Sequence, residues 1–401
     1  MRWIALPAGI LVLAVTLLDV FSTLVMPRSS RRRIRLTRLL FLATWRPWRW
    51  LGVRMNTLER RERMLAVAAP LFFFILLVSW AGLTVVGYGL VLWSPAFVHG
   101  VHGQGAGQFL TSLYFSGSSL FTIGFGDIVA TGATRGIVIV EGATGLGLVA
   151  VVIAYLPVLY QAFNRREVGV LFLDARAGSP PSGPELLRRT GGDGLAGDLP
   201  ELFREWERWS ADVLETHLSY PLLAFFRSPH DYTSWVTTLG AVLDAATLVL
   251  AVVEDGPHEQ AKMFYLTGTH AVEDLWHYFS GEEHESTIGR DEFHEVMEDL
   301  RNAGIALHSE DDAWERFVRL RSRYGGRLDA LAVLLASPPG QWIGDRSALP
   351  ARHEPLASYS RHSRRRCGRS TSRWRREQAQ SQLAKLALGD PARSAGQRVE
   401  A

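Results

Sequence analysis

Cysteine and lysine are almost missing from this 401-residue chain. Cys367 is the single cysteine, which excludes an intrachain disulfide and any cluster of thiolate metal ligands. Lysine occurs only at Lys262 and Lys385, so nearly all positive charge is arginine. No Gly-x-Gly-x-x-Gly follows a strand-like run, and a nucleotide-binding domain is therefore not expected. The acidic stretch between Glu254 and Leu300 lacks the ligand spacing of a calcium loop. No nucleophile, base and metal-ligand constellation stands out either, so the residues predict neither an enzyme nor a cofactor. Charge of both signs is missing from long parts of the first 165 residues.

Those uncharged parts have the length that matters. A hydrocarbon core of roughly 30 Å takes about 20 apolar residues as helix. Trp3–Met26, Met64–Trp93 and Gly136–Phe163 qualify, and the second carries no charge at all. The first is too long for a signal-peptide core and offers no small-residue cleavage site, so it reads as a span. Between the first two lie twelve arginines from Arg28 to Arg63, against Glu59 and Glu62. Positive charge stays on the cytoplasmic side, which predicts an outside N-terminus, a second span running outward and a third returning. Arg165 and Arg166 at the end of the third span agree. The expectation is a multi-pass protein of the plasma or inner membrane with a cytoplasmic C-terminus. Within the arginine-rich segment, "LLFLATWRPWRWLGV" suits a helix in the inner headgroup layer, with a solvated linker as the alternative. The arginines lie outside the apolar runs, which excludes a voltage sensor.

Between the second and third spans the chain reads "SPAFVHGVHGQGAG", then "QFLTSLYFSGSSLF", then "TIGFGD". The middle piece is helix-compatible but shorter than a span, as a re-entrant helix would be. Non-helical backbone at membrane depth survives only when buried in protein or lining water. Thr122-Ile123-Gly124-Phe125-Gly126-Asp127 therefore borders a polar pathway or does not enter the membrane. Gly124 and Gly126 reach positive φ at little cost, so alternating handedness turns successive carbonyls toward one axis. The carbonyls of Thr122, Ile123, Gly124 and Phe125 with the Thr122 hydroxyl then form a ladder of dipoles. Four ladders around an axis replace the hydration shell of a monovalent cation.

"TIGFGD", preceded by a short helix and flanked by two spans, resembles the selectivity filter of potassium channels, commonly Thr-Val-Gly-Tyr-Gly-Asp. The resemblance covers roughly residues 64–165. It implies an outer helix, a pore helix, a filter with Thr122, Ile123, Gly124, Phe125 and Gly126 coordinating K+, and an inner helix. One filter per chain implies a homotetramer in the lipid bilayer, with K+ the permeant ion and no catalytic turnover. The rival reading is a non-selective or nonconducting relative that signals through its C-terminal domain. In the family the Asp127 position bonds to the pore helix. The usual partner positions hold Phe115 and Ser118 here, so Tyr114 and Ser118 are the candidate substitutes. The resemblance also places Gly145 near a gating hinge, although glycine equally permits close helix packing. Pro157 frees a backbone carbonyl and favours a kink, with Leu156, Leu159 and Phe163 as candidate constriction residues.

Two acids fall within spans. Asp19 is expected to pair with an arginine of the basic segment, and Glu141 is either solvated or filter-supporting. The predicted architecture is an all-α membrane protein: an N-terminal span (1–27), a basic segment (28–63), a pore domain (64–165), a linker (166–200), a cytoplasmic helical domain (201–345) and a disordered Arg/Ser-rich tail (346–401). The apolar run 234–253 reads as a buried bundle helix because Asp244 sits at its centre, a fourth span being the alternative. His270, Asp274 and His277 share a helix face but read as surface residues rather than metal ligands. His99 and His102 lie in the Gly- and His-rich turret "SPAFVHGVHGQGAG" (94–107), where an external pH response is the functional reading. No nucleic-acid partner is expected.

Overall fold

Three helices of a computed structural model are long and apolar enough to cross a membrane: Arg2–Leu24, Glu59–Trp93 and Thr134–Ala177. The structure describes residues 2–25, 36–55, 57–178, 180–229, 233–279, 288–338, 340 and 342. The tail 346–401, with Cys367, and the arginines from Arg28 to Arg35 lie outside the described residues. The chain is an all-α membrane protein, and its described sheet is a single pair of two-residue strands.

Helix α1 (Arg2–Val20) continues into a π-helical turn, Phe21–Val25, and packs along α3 (Leu58–Trp93). Two glycines set their separation. A Cβ on Gly9 would sit 2.7 Å from Gly87 O, and one on Gly87 would sit 2.7 Å from Leu13 Cγ. In lipid, where apolar contact gives little net drive, such close backbone approach is what holds helices together. Asp19, on the inner face of α1, is buried. Its Oδ2 accepts from Thr37 Oγ1 at 2.6 Å and from Trp80 Nε1 at 2.9 Å. Among the described residues its partners are thus a threonine and an indole, while five of the twelve arginines predicted to pair with it lie beyond them.

Helix α2 (Leu36–Val53) turns one aromatic face inward. Phe41 meets Phe72 and Phe225 at ring distances of 5.1 and 4.5 Å, and Trp45 meets Phe225 at 4.9 Å. Leu39, Trp50 and Leu51 face outward.

After α3 come α4 (Phe109–Leu120) and the third long helix, α5 (Thr134–Ala177), with β1 (Val101–His102) before α4 and β2 (Val129–Ala130) between α4 and α5. Helix α5 carries no break at Pro157 and continues past the apolar stretch to Ala177. Here the structure departs from the sequence reading of 166–200 as a linker. Helix α6 (Gly183–Ser219) starts inside that stretch, capped by Ser182 Oγ accepting from Glu185 N, with Gly191 at φ 67° kinking it. Glycine and proline content misled because Pro184 occupies the first turn, where its missing N–H costs nothing. Leu186, Leu187, Leu195 and Leu199 meanwhile point into a common core.

That core belongs to a helical bundle built from α6, α7 (Trp235–Ala251), α8 (His258–Phe279), α9 (Arg290–Asn302), α10 (Glu310–Arg321) and α11 (Gly325–Leu334). Helix α7, the ambiguous apolar run, is its centre and is buried at nearly every position. Asp244 explains why it is a bundle helix. Its Oδ1 accepts from Arg321 Nε at 3.1 Å and Tyr324 Oη at 2.6 Å, partners that only packed neighbours supply.

The bundle grips α5 through Arg166, whose side chain is almost wholly buried. It pairs with Glu167 at 2.7 Å and donates to Leu223 O and Phe226 O, each at 2.8 Å. Leu223 and Phe226 belong to or border the short turn Pro221–Phe225, so the end of the third span and the bundle form one hydrogen-bonded joint.

Candidate ion pathway

Helix α4 is twelve residues long, about 18 Å at 1.5 Å per residue, and cannot cross a bilayer. Its entry and the exit of the following loop are tied together. Strand β1 precedes it, β2 follows the loop, and Val101 pairs with Ala130 and His102 with Val129. Thr131 N donates to Gly100 O at 2.8 Å, and His102 Nε2 lies 2.9 Å from Thr131 Oγ1. The turret and the far end of the loop thus form one clasp, and His102 is part of it.

The end of α4 is tied to the loop by its own backbone. Thr122 N donates to Ser119 O at 3.1 Å, and Ile123 N and Gly124 N reach Ser118 O at 2.8 and 3.4 Å. The next residues leave the helix with φ of 57° at Thr122, 60° at Gly124 and 82° at Gly126, while Ile123 and Phe125 stay at negative φ. The alternation predicted for the two glycines extends to Thr122, which the sequence reading missed. A β-branched residue at positive φ is an outlier, and such strain concentrates at functional sites. Every residue from Phe121 to Asp127 is exposed on the single chain, including the apolar side chains of Ile123 and Phe125.

Asp127 closes the loop. Its Oδ2 accepts from Tyr114 Oη at 3.1 Å and its Oδ1 from Ile128 N at 3.1 Å. Tyr114 also stacks on Phe125, with ring centroids 6.1 Å apart and planes within 7°. The structure therefore brings Tyr114 to Asp127. Ser118 acts through its carbonyl, and its hydroxyl makes no bond to Asp127 among the described residues. Phe115 is buried against Leu92, Val101 and Ile128.

Behind the loop, α5 touches α4 at two levels. Gly145 lies so close to Leu120 O that any Cβ there would collide with the carbonyl, which is the packing role of a small residue. One turn nearer the turret, Glu141 is completely buried and bonded to Ser116 Oγ. This contact was not legible beforehand, the signal being only an acid inside an apolar run. Below the loop a cavity of about 290 Å³ lies between α3 and α5, lined among others by Trp80, Thr122 and Val149. Of the candidate constriction residues, Leu156 is exposed and Phe163 is half-buried. Leu159 is completely buried inside its own chain and faces no pathway.

Toward the C-terminus, His270 Nε2 lies 3.5 Å from Asp274 Oδ2, while His277 Nδ1 turns to Glu273 O. Among the described residues no group of three or more His, Cys, Asp or Glu side chains is arranged to hold a metal. Two buried basic groups are perturbed at the joint. Burial, reinforced by the charge of Arg166, holds His217 well below its ordinary range. Burial likewise pushes Arg227 down to about 10, opposed by Glu62.

Residues 71–161 match the family model described as "Ion channel". The matched segment begins inside α3 and ends inside α5, so it encloses α4 and the 121–127 loop. The chain is 26% identical over 244 residues to the Bacillus subtilis (strain 168) protein named uncharacterized membrane protein YdjJ. That alignment covers 60% of this chain and 68% of the relative. No solved structure matches.

Proposed function

From a 71–161 segment of ion-channel type, we propose that the protein is a passive, potassium-selective channel whose filter is Thr122 to Gly126. The observation that carries this reading is the loop's backbone. Positive φ at Thr122, Gly124 and Gly126, interleaved with negative φ at Ile123 and Phe125, favours successive carbonyls facing one side. Oxygen dipoles without full charge take up a monovalent cation and release it again.

A homotetramer follows from the same loop. Non-helical backbone cannot face lipid, yet Phe121 to Asp127 are exposed on the single chain. A second observation points the same way, since only 11% of the most apolar window of α5 is buried by its own chain. Further copies of the chain, arranged around the filter, cover both surfaces and complete four carbonyl ladders. Arginine placement orients the assembly with the turret outside and the bundle in the cytoplasm. The ion moves down its gradient, and the protein contributes dehydration and selection with no chemical step and no cofactor.

The test is rubidium flux into liposomes carrying wild type or Gly124→Ala. At φ 60° an added Cβ costs about 1–2 kcal/mol per chain, and it is paid in all four copies. Wild type is expected to conduct and the variant to lose most of its flux while remaining assembled. Equal flux through both would overturn the filter assignment, and flux without preference for rubidium over sodium would favour a non-selective pore.

A further inference from the structure

Glu141 belongs to the membrane half and is completely buried within one chain, so its surroundings do not depend on assembly. Its only described partner is Ser116 of α4, bonded through Oε1, and Oε2 has none. Ser116, also fully buried, sits 2.9 Å from Val85 O of α3. The hydroxyl thus faces two oxygens and has one proton. A backbone carbonyl can only accept, so the Ser116 proton is committed to Val85 O. The remaining contact needs a proton from the other side, and the carboxylic acid form of Glu141 is the group that carries one. The opposite assignment leaves two oxygens against each other at Val85 and a bare carboxylate, half unpartnered, at membrane depth.

We propose that Glu141 acts as a neutral hydrogen-bond donor from the inner helix to the pore helix, and is a positioning residue for the filter. The chain of bonds runs from α5 to α4 to α3, from Glu141 through Ser116 to Val85. Two residues beyond Ser116, the Ser118 carbonyl receives Ile123 N and Gly124 N. One turn below Glu141, Gly145 presses on Leu120 O. Displacing α5 therefore shifts the element from which the filter backbone hangs. The functional half of this inference rests on the proposed potassium pathway, and the structural half does not.

The test uses the full chain in liposomes with Glu141→Gln, Glu141→Ala, Ser116→Ala and the double Ser116→Ala/Glu141→Ala. Two readouts are taken: the rubidium-to-sodium flux ratio, and hydrogen exchange of the peptide spanning 113–127. Losing the donor is expected to raise that peptide's exchange and lower the flux ratio by about tenfold each, one hydrogen bond's worth. Glu141→Gln keeps a donor without charge and is expected to stay near wild type in both. The double variant is expected to be no worse than the worse single one, since both remove one interaction. Exchange in Glu141→Gln as fast as in Glu141→Ala would overturn the proposal, because a charged acceptor would then be what matters. Additive effects in the double variant, or wild-type exchange in every variant, would overturn it as well. A wild type that passes no rubidium would end the potassium reading, while the exchange pattern would still decide the role of Glu141.

Discussion

The membrane half and the C-terminal bundle solve the burial problem in opposite ways. In the bundle, α7 is enclosed by its own chain, and Phe203, Phe264, Phe293 and Phe317 are buried with it. In the membrane half, the most apolar windows of the three spans are 28%, 28% and 11% buried by the chain. Much of what remains exposed there is apolar and includes the side chains of Ile123 and Phe125 in the loop proposed as the filter. The bundle thus encloses its own core, whereas the membrane half leaves most of its apolar surface uncovered by its own chain. Beside small apolar clusters, its internal contacts include polar bonds and glycine approaches, at Asp19–Trp80, Glu141–Ser116, Gly9–Gly87 and Gly145–Leu120.

Breaking the joint between the two regions is expected to have the largest effect. Arg166→Ala removes the partner of Glu167 and the donor to Leu223 O and Phe226 O, all in a buried site. Removing one member of a buried charge pair costs about 3–5 kcal/mol, and thermal unfolding of the bundle together with altered open probability would register it. The next largest effect is confined to the bundle. Asp244→Ala removes the acceptor of Arg321 Nε and Tyr324 Oη, at a cost of about 3 kcal/mol. Unfolding should shift while ion selectivity does not.

A smaller and pH-dependent effect belongs to His217, which is buried, donates from Nδ1 to Val213 O at 2.7 Å and accepts at Nε2 from Arg166 at 3.3 Å. Its folded-state proton affinity lies below the unfolded value. Its contribution is therefore fully present above a pH of about 6.5 and is lost as pH falls below that value. Thermal melts from pH 7.5 to 5 should show the loss, reduced in His217→Gln. The smallest expected effect is Tyr114→Phe, which removes a partly exposed bond to Asp127 worth about 1 kcal/mol or less. Faster decay of current at sustained voltage, with assembly intact, is its readout.

Most of what the sequence made legible was periodic or categorical. Span lengths followed from uncharged runs, the short helix α4 from its apolar pattern, and the loop from alternating glycines. Asp244 likewise marked α7 as a bundle helix. What stayed hidden depended on tertiary partners. The helical stretch from Gly183 to Pro200 is set by leucines meeting a core that composition does not show. The positive φ of Thr122 is imposed by bonds at the end of α4, and the inward turn of Leu159 by the bundle packed on α5. The Glu141–Ser116 contact joins residues 25 positions apart, and no local pattern announces it.

The central claim is that backbone oxygens of Thr122 to Gly126 select potassium, and the reversal potential under bi-ionic conditions tests it most directly. With potassium on one side of a planar bilayer and sodium on the other, the account predicts a reversal displaced strongly toward the potassium equilibrium potential. A reversal at zero, in a membrane that carries clear protein-dependent current, would contradict it.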